Sequence, residues 1–156
     1  SFIAPTGDDH LLYGLPAPGG TGLYKVFFAT KAEESTSNIQ FIPFTVDMGP
    51  IEGRLEALPD LLRSAFIASV EDTAQAAINT TRAVQIGPYP AVEMLGNYKS
   101  SDFGIVVLRI VAIPNPDSEH GMIAIINGIT KHFPMETVED VMGTNASRAL
   151  TTFKFQ

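Results

Sequence analysis

Three polar side chains fall inside strand-like stretches that are otherwise apolar: Glu93 in AVEMLGNYK, Arg109 in FGIVVLRIVAI and Asn127 in GMIAIINGIT. A charge placed in an apolar sheet has to be paired, because losing its hydration without a partner is expensive. If Ser100-Ser101-Asp102 turns the chain between the first two stretches, residues whose numbers add to 202 face one another, and Glu93 meets Arg109. If the next turn centres on Asp117, Arg109 lies opposite Ile125 and diagonal to Asn127, so that all three polar groups share one face. The trio then has two possible roles. Glu93 and Arg109 are a buried pair beneath a helix, satisfied by Asn127, or the three floor a groove in which a ligand carboxylate or amide competes for Arg109.

Other chemistry is thinner. Asp8-Asp9-His10 and Glu119-His120 each set carboxylate beside imidazole, the donors of an oxygen and nitrogen metal site. Adjacent residues of an extended chain point in opposite directions and seldom hold one ion, so neither a metal nor a cofactor is expected. There is no GxSxG, and His10, His120 and His132 fall at strand or loop boundaries, which leaves no candidate catalytic residue. APGGTG at 17–22 lacks the lysine and the following helix of a phosphate-cradling loop. The absence of cysteine removes thiol catalysis, disulfides and thiolate zinc sites.

The elements that must position these groups can be read from periodicity. HLLYGL (10–15), LYKVFFAT (23–30) and NIQFIPFTV (38–46) are predicted strands, the last two a hairpin across the charged KAEEST turn. Pro43 cannot donate to a ladder, which puts its strand at an edge or a bulge. Leu58, Leu61, Leu62, Ala65, Phe66, Ser69 and Val70 recur at helical spacing and predict a helix beginning near Leu58, with Pro59 in its first turn. TRAVQI (81–86), 91–99, 103–113 and 121–130 predict a four-strand antiparallel meander. Apart from Arg109 the third of these is apolar on both faces, so both must be covered. Val138, Val141, Met142, Asn145 and Ala149 predict a second amphipathic helix, opened near Thr137 and ending before the FKF tail. The sum is an α+β fold: one antiparallel sheet of about six to seven strands flanked by helices, an αβα sandwich forming a single domain over residues 1–156.

The corner IGPYPAVEML governs the meander. Gly87 supplies the positive φ that a tight reversal favours, and Pro90 presets Tyr89 as extended. The strand beyond is then delivered in one register, with Val92 and Met94 on one face and Ala91, Glu93 and Leu95 on the other.

The 156 residues are 45% hydrophobic and 17% charged, a composition that excludes intrinsic disorder. The net charge is -7 with no basic cluster, which makes nucleic acid a poor partner. No run reaches the roughly 18 to 20 apolar residues of a membrane helix, so no transmembrane segment is expected. The start at Ser1 reads as a processed or trimmed terminus, which leaves open whether a signal peptide preceded it.

The order of "VQIGPYPAVEML", "GIVVLRIVAIP", "MIAIING" and a last helix running into "ALTTFKF" resembles the Mog1/PsbP-like proteins, as does the early "YGLPAPGG". This resemblance implies an αβα sandwich working as a non-enzymatic exported accessory or binding protein for a protein or small-molecule partner. The implied location is periplasmic or secreted, with a lipid anchor before trimming as one form; a cytoplasmic location stays open. Two alternatives from other classes stand beside it: a small hydrolase or other enzyme using a polar sheet face, and a chaperone or immunity partner that masks another protein.

Overall fold

The computed structural model describes residue 1 and residues 10–16 and 23–156. Its strands are β1 (His10–Pro16), β2 (Leu23–Thr30), β3 (Ser35–Thr45), β4 (Ala76–Ile86), β5 (Tyr89–Ser100), β6 (Gly104–Pro114) and β7 (His120–Ile129). They form one seven-stranded sheet in the order β1-β2-β3-β7-β6-β5-β4, every neighbouring pair antiparallel. Two meanders, β1 to β3 and β4 to β7, are thus sewn together along β3 and β7. One face carries α1 (Ile51–Glu56) and α2 (Leu58–Ser69); the other carries a 3₁₀ turn (Val138–Gly143) and α3 (Asn145–Leu150). This is the α+β sandwich that the patterning implies.

Helix α2 forms where the spacing predicts it, with Pro59 in the first turn and the buried stripe Leu58, Leu62 and Phe66 turned to the sheet. That stripe packs on Val92, Met94, Leu108 and Ile110. Burying its three large side chains contributes roughly 5 to 9 kcal/mol as an upper bound. The Phe66 ring needs Gly96 beneath it, since a Cβ there would lie 2.5 Å from Phe66 Cε2 and 2.4 Å from the Ala77 carbonyl oxygen. On the opposite face Ile39, Leu95, Val107, Val111 and Ile126 pack against Val141, Ala146, Ala149, Leu150 and Phe153.

Three details differ from the periodicity. The C-terminal helix is broken: Thr144 takes an extended conformation (φ -68, ψ 153) and its hydroxyl accepts from the Ser147 amide, capping α3 afresh after the 3₁₀ turn. Glycine at 143 and a capping threonine at 144 stop the first piece and start the second. Strand β4 begins at Ala76 rather than Thr81, and the polar stretch before Thr81 is absorbed by a bulge between Ile78 and Thr80. Strand β3 is an inner strand, but among the described residues β2 pairs with it only as far as Gln40, so Pro43 lies where β7 is its sole neighbour.

The corner behaves as its chemistry requires. Gly87 has φ +56 and the two-residue turn pairs Ile86 with Tyr89. Ala91 and Leu95 face α3, whereas Val92 and Met94 face α2. No helix among the described residues is long and apolar enough to cross a membrane.

Candidate functional site

Glu93 and Arg109 meet, though by a different register. Strand β5 pairs Glu93 with Val111 and Leu95 with Arg109, two residues from the expected alignment. A shift of two keeps both side chains on one face, and Arg109 Nε donates to Glu93 Oε1 at 2.6 Å. The second oxygen, Oε2, accepts from Arg82 Nε at 2.9 Å, and the Arg82 guanidinium grips Glu139 with both terminal nitrogens at 2.9 and 2.8 Å. Asp140 Oδ2 accepts from the amides of Glu136 and Thr137 and so fixes the turn that presents Glu139. The result is an alternating chain, Arg109, Glu93, Arg82, Glu139, binding β6, β5 and β4 to the C-terminal 3₁₀ turn. Hydrogen bonds to Glu139 and then Glu93 push the Arg82 guanidinium further up, and Arg82 holds Glu139 below the ordinary carboxylate range.

Glu93 is 1% exposed and Arg109 7%, so the pair is buried under the helical layer and does not line an open groove. The patterning overlooked Arg82, yet the signal was present. A two-residue corner that pairs Ile86 with Tyr89 necessarily pairs Arg82 with Glu93.

Asn127 is not a third member. Strand β7 sets Asn127 opposite Leu108 and Ile126 opposite Arg109, one residue from the expected alignment, and a shift of one moves a side chain to the other face. The cause is the β6–β7 loop. Buried Arg54 donates from Nη1 to the Asn115 carbonyl (2.9 Å) and from Nη2 to the Ser118 carbonyl (2.7 Å), and the Asn115 amide bonds the His120 carbonyl. The reversal is therefore held both by local bonds, Asp117 N–H to Asn115 Oδ1 and His120 N–H to Ser118 Oγ, and by a cation 61 residues earlier in the chain.

On its own face Asn127 joins a different constellation. Tyr98 reaches across β6 and its hydroxyl donates to Asn127 Oδ1 (3.3 Å); Asn127 Nδ2 donates to Asn38 Oδ1 (3.0 Å). Burial, with the Glu71 charge behind it, pushes the Tyr98 phenol up and keeps it a donor. These residues lie in a groove of about 490 Å³ between α2 and the exposed halves of β1, β2, β3 and β7. Its apolar walls include Ile42 and Phe103, its helical wall is the small-residue set Ala65, Ala68 and Ser69, and Lys25 is its one cation among the described residues. Tyr13 stacks on Phe27 at 5.0 Å between centroids, and Lys25 Nζ sits 5.1 Å from the Phe27 ring centre. Phe103 is held at the rim because Ser100 Oγ accepts from the amides of Asp102 and Phe103 and itself donates to Glu71. The groove exists because α2 covers β5 and β6 and stops short of the first meander. In β3 the signal is visible: Asn38 and Gln40, which line the groove, alternate with Ile39 and Phe41, which pack into the opposite core.

Of the remaining motifs, Asp8 and Asp9 lie outside the described residues, as does the side chain of His10. His120 opens β7, and His132 Nδ1 stands 3.6 Å from Glu34. Among the described residues no three histidine, cysteine or carboxylate side chains gather as a metal site would need.

No family model and no curated protein sequence matches the chain. Among solved structures, LpqN of Mycobacterium tuberculosis, involved in cell envelope biogenesis, is similar over 97% of this chain and 80% of its own, with a TM-score of 0.57 and 14% identity. The Ran-binding protein Mog1p of Saccharomyces cerevisiae is similar over 96% and 82% respectively, with a TM-score of 0.40 and 10% identity. The likeness to LpqN shows the fold, one antiparallel sheet with helices on both faces, and this is the architecture that the resemblance to the Mog1/PsbP-like proteins implies.

Proposed function

We propose that the protein is a non-enzymatic binding module whose ligand lies in the groove beside α2. The observation that carries this is the directional hydrogen-bond chain from Tyr98 through Asn127 to Asn38 at the floor of an open, largely apolar trough. Each link uses an acceptor, so the chain ends on donors: the Asn38 Nδ2 group, together with the Lys25 ammonium. Donors at the floor and rings at the wall select a ligand with an apolar body and an oxygen acceptor, a carbonyl or a carboxylate. Asn127 is then a ligand-facing residue, while Glu93 and Arg109 stiffen the sheet from the far side. Among the described residues the groove lining contains neither carboxylate nor imidazole, which favours holding a ligand over moving its protons. An exported setting for this single module accords with the fold likeness to LpqN.

Since the chain has no tryptophan, Phe103→Trp at the rim provides a single local reporter. The probe is 8-anilinonaphthalene-1-sulfonate, an apolar ring system with an anionic acceptor. Saturable energy transfer from the new tryptophan is expected. Lys25→Met and Asn38→Leu should each weaken it about tenfold, the value of one good hydrogen bond, with the urea midpoint still showing a folded protein. Dye binding that ignores both substitutions would remove the groove from consideration.

A further inference from the structure

Strand β4 ends the sheet, and its outer backbone groups meet no strand among the described residues. Natural edges are usually guarded by lysine, proline or inward-turned charge, because an open row of N–H and C=O groups templates further pairing. Its eleven residues, AAINTTRAVQI, contain neither lysine nor proline. The single charge, Arg82, is already committed to Glu93 and Glu139. The bulge between Ile78 and Thr80 is the edge's one irregularity, so the run from Thr80 to Ile86 pairs regularly with β5 and stays open outward.

Beside this edge is a depression bounded by Arg63, Phe66 and Ile67 of α2, Thr73, and Ala76 and Ile78 of β4. Ile67 is 51% exposed there, and Arg63 forms no ion pair with any described residue. A pocket for alternate side chains next to an unpaired edge is the arrangement by which a sheet accepts an extended peptide: the main chain supplies affinity and the pocket selects the sequence.

We propose that β4 receives an extended segment of a partner protein as an added strand, with a bulky apolar side chain in the depression and an acidic side chain at Arg63. The depression argues for a foreign segment over a second copy of this chain. If the regular Thr80 to Ile86 runs of two copies paired, they would turn Thr81, Ala83 and Gln85 toward α2, which are small or polar and leave the apolar floor unfilled, while Ala76 and Ile78 already line each copy's own depression. Two copies would also bring together two chains of net charge -7. An acidic side chain from a partner instead meets Arg63, which has no ion-pair partner among the described residues.

The test uses isotope-labelled protein and a synthetic peptide of about ten residues, alternating threonine and valine, with phenylalanine and glutamate two positions apart. Expected are amide shifts confined to β4 and the Arg63 to Ile67 turn, slowed hydrogen exchange along β4, and a Kd of about 10 to 100 μM. A proline in the middle of the peptide should abolish binding. Arg63→Glu, on the solvent side of α2, should weaken the glutamate peptide about tenfold or more and tighten a lysine version by a similar factor. The proposal is overturned by no binding up to about 1 mM, by shifts centred on Tyr13, Phe27 and Asn127, or by equal loss for both peptides with Arg63→Glu. A concentration-dependent dimer that Ala83→Lys dissolves would give the edge to a second copy and overturn it as well.

Discussion

Replacing Glu93 tests whether the ionic chain stiffens the sheet. Glu93 is 1% exposed and is the acceptor for two guanidinium groups. Glu93→Leu leaves Arg109, 7% exposed, without its carboxylate, while Arg82 retains Glu139 and has a side chain 40% exposed. The loss therefore comes mainly from Arg109, and stranding a buried charge costs about 3 to 5 kcal/mol. Arg109→Met is milder, about 1.5 to 3 kcal/mol, because Glu93 loses one charge-assisted bond and keeps another. In the double variant the stranded cation is gone, and the combined loss should fall short of the sum by about 2 kcal/mol. Urea unfolding followed by far-ultraviolet circular dichroism measures all three, and each kcal/mol corresponds to about 2 to 4 °C in Tm. Equal single losses, or a double variant additive within about 0.5 kcal/mol, would refute the asymmetry drawn from these distances.

Arg54 gives a second test: Arg54→Ala should cost about 2 to 3 kcal/mol and speed amide exchange in residues 115–119, and Arg54→Lys should restore less than half, since one ammonium cannot span two carbonyls as the guanidinium fork does. Unchanged exchange in that loop would show that it is held by other groups. Glu139 gives a third: Arg82 depresses its folded value below the ordinary 4.5, so its contribution is present above pH 4.5 and is lost as pH falls through the folded value. Urea midpoints should drop on acidification below about pH 4.5, and less steeply in Glu139→Gln, with salt shrinking the difference. Identical acid limbs for the two proteins would remove the pair from the pH response.

Architecture was legible wherever residue chemistry is local. The Gly87 corner, the alternation along β5 and the α2 stripe each follow from near neighbours, and each has the face that its pattern implies. Register was not local. The β5–β6 reversal uses Ser101 to Phe103, with Gly104 at φ +70, rather than Ser100 to Asp102. That shifted the alignment by two and left Glu93 with Arg109. The next reversal depends on Arg54, far away in sequence, and its shift of one sent Asn127 to the other side of the sheet. Of the candidate trio, Glu93 and Arg109 therefore meet while Asn127 faces the other side, in a groove that exists because the first meander lies beside the second.

That junction has a consequence for how the chain reaches its native state. Five of the six strand pairings join consecutive strands, and each can close as a hairpin over a short loop. The sixth, β3 with β7, joins Asn38 to Asn127 across 89 residues, and its closure entropy must be met before its contacts form. The two meanders can thus order early and separately, with the barrier set by their docking. Until they dock, β3 and β7 are both bare edges in the same polypeptide, each rich in aromatic or β-branched residues. A neighbouring chain at the same stage carries complementary edges, so exchange of whole meanders between molecules competes with folding as concentration rises.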